Sequence, residues 1–219
     1  MSVEPLSSLD RSTLRERSLE ALRSAILSGR YRPGDHLGEV ELAGSLGVSR
    51  GTVREALRHL QQEGLVTAGT RGMLRVNSLT PAEVHELFRV RAALEGLAVR
   101  EVIASPRRAS AAEALRTAVE RLSDQDEPAA RMAADLAFHL LLCQLSGNSM
   151  LVEAWQRLEG RMRVAILNGA ALQAPMMSRD RHVPIVEAIE RGDVEAAVQV
   201  VDAHMAGAAE HFARASASA

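Results

Sequence analysis

Residues 39–76 read EVELAGSLGVSRGTVREALRHLQQEGLVTAGTRGMLRV, and this stretch decides the fold. Leu42 and Leu46 stand at i, i+4, one turn of a short helix. Gly47 and Val48 make a turn, and Ser49 occupies the place of an N-cap. Val53, Ala56, Leu57 and Leu60 follow at i, i+3, i+4 and i+7, the stripe of a second helix that Gly64 closes. Leu65-Val66-Thr67 and Met73-Leu74-Arg75-Val76 flank a Gly-Thr-Arg-Gly tip and form a hairpin. Two short helices, a tight connection and a hairpin make a winged helix-turn-helix, a unit that reads duplex DNA.

The side chains on this frame have matching chemistry. Arg50 opens the second helix, and Arg54 and Arg58 follow one turn apart. A recognition helix enters the major groove with its N-terminal residues leading, and arginine there bonds guanine O6 and N7 in a bidentate way. Thr52 is within reach of a base or a phosphate. Gly51 removes a side chain where the backbone comes close to DNA. Ser49 and the free N–H groups of the helix start suit a phosphate. Gly69 and Gly72 bracket the tip, and Arg71 between them is placed to enter a minor groove. Taken singly, each arginine is also compatible with a solvated face, with Glu55 and Glu63 neutralising part of it.

Working outward, a first helix is expected from about Ser12 to Ser28, with Leu19, Leu22, Ala25 and Ile26 inward. Residues 1–11 are expected to be loosely attached. Ser78-Leu79 is a linker. Thr80-Pro81-Ala82-Glu83 is a capping box with proline at the first helical position. From there every signal is helical, with segments at about 81–104, 106–123, 128–146, 149–171, 179–191 and 193–213 and a frayed tail from Ser216. The expected fold is mainly α: a winged helix-turn-helix over residues 1–77 and an all-α bundle of about six helices over 78–219.

Composition narrows the function classes. Of 219 residues, 47% are hydrophobic and 2% aromatic, a helix-rich globular balance. All 26 basic residues are arginine, and the net charge is −2, which argues against generic polyanion binding. Residues 1–77 carry 11 arginines against 9 acidic residues, and the remainder 15 against 19, so the basic end is the DNA-facing one. Cys143, the only cysteine, sits in the apolar run Leu140-Leu141-Leu142 and reads as a buried thiol. No apolar run approaches the roughly 20 residues that span a bilayer. The N-terminus is polar and has no secretory h-region. A reducing cytoplasm fits these features.

One constellation in the second half has metal chemistry. Asp135 and His139, at i, i+4, share a helix face that Met132, Leu136 and Leu140 turn inward. His204 lies in the stripe Val194, Ala197, Val198, Val201, Ala208, Phe212. His182 opens the preceding helix. Three imidazoles and a carboxylate from three helices suit a divalent ion, Zn²⁺ first, with Ni²⁺, Mn²⁺ or Fe²⁺ as alternatives. The plainer alternatives are hydrogen-bonded core histidines and an Asp135–His139 ion pair.

The segment SILSGRYRPGDHLGEVELAGSLGVSRGTVREALRHLQQEGLV resembles the N-terminal domain of the GntR family of bacterial transcription regulators. The Pro33-Gly34-Asp35 turn, Leu42-Ala43, Ser49-Arg50 and Val53-Arg54-Glu55-Ala56-Leu57 all sit as in that family. One departure is Val40, where some members carry a base-reading arginine. The segments LFRVRAALEGLAVR, DLAFHLLLCQLSGNSMLVE and RHVPIVEAIERGDVEAAVQVVDAHM resemble the FCD ligand-binding domain of the FadR subfamily, with a helix count like its VanR-like branch. The resemblance implies Asp135, His139, His182 and His204 as metal ligands and Arg91 as a pocket cation for a small carboxylate effector. Arg161 and Arg163 are further cations on the helix 149–171, and an Arg91–Glu95 ion pair is the alternative for Arg91. It implies a homodimer on double-stranded operator DNA, acting as a repressor and not as an enzyme. A metal-responsive regulator, or a metalloenzyme carrying a DNA-binding head, are the alternatives. No general base is marked beside the ligands, and HEXXH is absent.

Overall fold

The computed structural model describes residues 13–69, 72–123, 127–167 and 175–217. The loose N-terminal segment and Arg71 lie outside these residues, as does the end of the helix expected to reach 171.

Helix α1 (Leu14–Leu27) starts on a capping box in which Thr13 and Glu16 cap each other's backbone. Helices α2 (Glu39–Leu46) and α3 (Arg50–Gln62) meet at Gly47, whose φ of +65° is a left-handed turn that favours glycine. Strands β1 (Val66–Ala68) and β2 (Leu74–Val76) pair antiparallel, with Val66 opposite Val76. The chain before α2 adds to this hairpin: Leu37 N–H donates to Leu74 C=O at 2.9 Å, and His36 bridges Arg75. Periodicity did not reveal that addition, because one bridge residue carries no alternating pattern. Leu22, Ile26, Leu42, Val53, Leu57, Leu60, Leu65 and Val76 fill the core of this unit.

Helix α4 (Pro81–Ala104) begins on the Thr80–Glu83 capping box. It is followed by α5 (Arg108–Ser123), α6 (Pro128–Leu145), α7 (Ser149–Leu167), α8 (Arg179–Arg191) and α9 (Val194–Ala217). A 3₁₀ turn at Pro175–Met177 precedes α8. The tail expected from Ser216 is helical as far as Ala217, since α9 has no glycine or proline in its last turns to end it. The longest contact of the bundle is α4 along α9, where Phe88 stacks on Phe212 at 5.6 Å. Cys143 is wholly buried, and burial raises its thiol pKa, as its apolar run implies. No helix among the described residues is long and apolar enough to cross a membrane.

The two cores touch through α7. Val164 of α7 is buried among the residues of the N-terminal core. Gly160, one turn earlier, lies so close to the end of α3 that a Cβ there would stand 1.7 Å from the Glu63 carbonyl oxygen. Two backbones meet at that point with no room for a side chain.

Candidate metal centre and nucleic-acid interface

Asp135 and His139 project from α6, His182 from the first turn of α8 and His204 from the middle of α9. All four are buried, His139 and His182 completely. One ligand atom from each of the three histidines can be chosen so that all lie within 4.8 Å of one another. Asp135 stands against the group: its Oδ1 is 3.1 Å from His182 Nε2. The Asp135–His139 intrahelical ion pair, the plainer alternative, gives way to an Asp135–His182 pair across helices. His139 Nε2 and His182 Nε2 are 3.2 Å apart.

The other ring nitrogens explain this convergence. His139 Nδ1 lies 2.6 Å from Glu95 Oε2, His182 Nδ1 is 2.8 Å from the Ser178 carbonyl, and His204 Nδ1 is 3.2 Å from the Arg181 carbonyl. A carbonyl or a carboxylate only accepts, so these bonds place a proton on Nδ1 of each ring and leave Nε2 of His139 and His204 as lone pairs, while His182 Nε2 faces the Asp135 carboxylate, which also only accepts. Acceptors of this kind, bonded behind a histidine, are what fixes an imidazole for metal binding. Burial pushes the pKa of His139 down and that of His204 well down, so both rings are neutral near pH 7, the form that ligates. Burial alone would raise the Asp135 carboxyl, but the bond to His182 outweighs it and holds the pKa at about 2. Three imidazoles close to one another, with the Asp135 carboxylate against one of them and no thiolate, suit a borderline divalent ion.

Glu95 is the residue that sequence reasoning treated only as a pairing partner. It is fully buried on α4, and besides His139 it accepts from Arg91 Nε at 3.0 Å and Trp155 Nε1 at 3.0 Å. Burial favours its neutral form, but His139 and Arg91 reverse that, and its carboxyl is held well below the ordinary range. A carboxylate inside the apolar stripe Leu87, Phe88, Ala98, Val99 was the available signal. Arg91 is also buried. Its guanidinium lies over the Phe88 and Trp155 rings, at 5.3 and 6.0 Å, and its Nη2 has no hydrogen-bond partner. The structure thus contains the Arg91–Glu95 pair and leaves one buried donor over. Arg163 pairs with Glu159 at 2.7 Å. Arg161 packs beside Gly64 at the contact between the two units.

On the winged unit, Ser49 caps α3: its Oγ accepts from Thr52 N–H at 3.1 Å and lies 2.9 Å from Thr52 Oγ1. Arg50, Gly51 and Arg54 are exposed along the start of α3. Arg50 makes no ion pair among the described residues. Arg54 is held by Glu39 of α2 through two bonds of 2.9 and 2.7 Å, and Arg58 pairs with Glu55 at 2.8 Å. Glu63 does not neutralise this face, because it turns to Arg23 of α1 at 2.6 Å. Gly72, at a φ of +74°, closes the wing tip. Val40 is 67% exposed beside this surface.

A winged helix-turn-helix followed by an all-helical domain defines a class of DNA-binding transcription regulators. Comparison with known proteins makes the assignment specific. Residues 12–76 match the model of bacterial regulatory proteins of the gntR family, and residues 86–207 match the FCD domain. The chain belongs to the GntR family of transcriptional regulators, in its FCD-containing group. It is 32% identical over 200 residues to the uncharacterized HTH-type transcriptional regulator YdhC of Bacillus subtilis (strain 168), covering 87% of each chain. It is 32% identical over 202 residues to a protein named "Probable D-xylose utilization operon transcriptional repressor" of Paenarthrobacter nicotinovorans, covering 90% of this chain and 88% of that one. A crystal structure described as a transcriptional regulator GntR from Rhodococcus sp. RHA1 superposes with a TM-score of 0.74 at 28% identity, covering 92% of this chain and 98% of that one.

Proposed function

We propose that this regulator is a cytoplasmic homodimeric repressor whose operator binding is controlled by a small carboxylate. Residues 1–77 read the operator, and residues 78–219 hold a divalent ion and the effector. Asp135, His139, His182 and His204 ligate the ion, Zn²⁺ by preference. Arg91 offers its spare Nη2 to the acid, and an ion held at the cluster would supply further positive charge to the acid's carboxylate. The observation that carries this reading is the set of imidazoles whose Nδ1 protons are all spent on acceptors behind them. Glu95 is committed to three donors, which leaves it unsuited to the role of a general base and favours a sensor over an enzyme. The repressor sense rests on the name of the Paenarthrobacter relative.

A thermal-shift screen of small organic acids against the full chain, with and without chelator, tests the effector reading. At least one acid is expected to raise the melting temperature only when metal is present, and Arg91→Ala to lose that response while retaining metal by elemental analysis. An acid that binds equally well after verified metal removal rules out the bridging role.

Operator reading is assigned to Ser49, Arg50, Gly51, Thr52 and Arg54, with Arg71 and Gly72 on the wing. Arg50→Ala is expected to weaken operator binding by about 1–3 kcal/mol and to relax base preference, since Arg50 is the unpaired guanidinium at the helix start. Fluorescence anisotropy with operator and scrambled duplexes at matched salt reads this. Unchanged affinity would reassign the contact.

A further inference from the structure

Of the three arginines along α3, only Arg54 is tied, among the described residues, to a different helix. Its Nε and Nη2 donate to the two carboxylate oxygens of Glu39, the first residue of α2, at 2.9 and 2.7 Å. Arg58 pairs within its own helix, through Nη1 alone, with Glu55. The Arg54–Glu39 pair lies at the surface, with the Arg54 side chain 48% exposed and that of Glu39 25%. Exposed pairs contribute little to stability, since water and salt screen them and two long side chains must be held still. A carboxylate on a surface that meets phosphates also repels them. Folding alone does not account for a carboxylate kept at that place.

The geometry of the guanidinium does. It can offer a fork of parallel N–H donors from its side edge, Nε with Nη2, or from its end edge, Nη1 with Nη2. Glu39 occupies the side edge. The end edge is left free, and its two donors match guanine O6 and N7 in the major groove. Held by one edge, Arg54 has little rotamer freedom left to lose on binding, and preorganisation of that kind sharpens discrimination. The carboxylate also cancels the charge that would draw Arg54 to any phosphate, so the side chain gains from a base and not from backbone at large. The bonds from Arg54, and then the charges of Arg54, Arg50 and Arg58, hold the Glu39 carboxyl below its ordinary range, so it stays ionised at neutral pH.

We infer that Glu39 is a positioning residue for operator reading: it grips one edge of the Arg54 guanidinium so that the other edge reads a single guanine. The inference rests on the reading of Arg54 as an operator contact, and adds the residue that aims it and the base it selects.

The test selects a randomised duplex library with the full-length protein and sequences the bound fraction. Single-base variants of the selected duplex are then measured by fluorescence anisotropy at matched salt. Arg54→Ala and Arg50→Ala each locate the base pair that their arginine reads, and the wild type is expected to require guanine at the Arg54 position. Glu39→Ala should reduce the preference for guanine there about tenfold, leave the base read by Arg50 as selective as before, and bind random duplex more tightly. On an Arg54→Ala background the same substitution should no longer change any base preference. Full guanine preference in Glu39→Ala, even with tighter binding to every duplex, overturns the inference and leaves Arg54 as a reader. Equal loss of preference at the Arg50 and Arg54 positions means that α2 and α3 have shifted together, and overturns it too. If Arg54→Ala relaxes no position, the operator contact of Arg54 is itself wrong and the inference falls with it.

Discussion

His204→Ala is expected to abolish stoichiometric binding of divalent metal and the stabilisation that comes with it. His204 is the one proposed ligand from α9, so its loss should uncouple that helix from α6 and α8, which would supply the other three. An ion at a hundred times its dissociation constant stabilises the fold by about 2.7 kcal/mol. For a chain of this size that is roughly 5–10 °C in melting temperature. The wild type should show that gap between zinc-loaded and chelated samples, and the variant should not. Acid should act in the same direction. Burial holds His139 and His204 below their ordinary pKa, so between about pH 6.5 and those lowered values the unfolded chain takes up protons that the folded chain refuses. Stability of the metal-free protein therefore rises with pH through that window and is lost as pH falls through it. Metal affinity falls over the same range, because a protonated imidazole has no lone pair to give. Elemental analysis that finds one zinc per chain in His204→Ala removes this histidine from the ligand set.

Gly160→Ala is expected to be the most damaging small substitution outside the metal centre. The added methyl would sit 1.7 Å from the Glu63 oxygen and 2.8 Å from its carbon, both of them backbone atoms that no rotamer change can move. Helix α7 must then draw away from the end of α3, taking Val164 out of the N-terminal core. Overpacking of this kind costs about 1–3 kcal/mol, and a valine at the same place should cost more. Gly44→Ala is the matched control, since nothing lies within 4 Å of its added methyl and it sits in an exposed helix. It should be stabilising by up to about 1 kcal/mol. Thermal melting of the two variants decides the matter, and equal stability of Gly160→Ala and the wild type would mean the two backbones part without cost.

What could be read beforehand follows from how local each signal is. Helix α4 begins where its capping box places it, because a cap is written within four residues, whereas α5 starts at Arg108, two residues after the expected 106. Helix α8 ends as closely before Gly192, which takes the left-handed turn at a φ of +73°. The buried ligand candidates were legible because i, i+4 spacing and apolar stripes fix which way a helical side chain points. The partners of those side chains were not. Nothing near Glu95 in the chain says that it meets Trp155 from α7 and His139 from α6. Arg54 reads as a free recognition arginine until α2 folds back and brings Glu39 across it. Gly160 reads as an ordinary helix position, since its requirement comes from a backbone nearly a hundred residues earlier. Each of these is a fact of tertiary approach, and periodicity carries no information about it.

Trp155 is the only tryptophan in the chain, and its indole N–H is tied to the carboxylate that also holds His139. An ion drawing on the His139 Nε2 lone pair makes the Nδ1 proton more acidic and pulls charge on Glu95 toward the imidazole. The field at the indole shifts with it. With an ion bound the protein would contain its own optical gauge: the colour and brightness of one buried fluorophore should follow occupancy of the centre, with no label and no background from a second tryptophan.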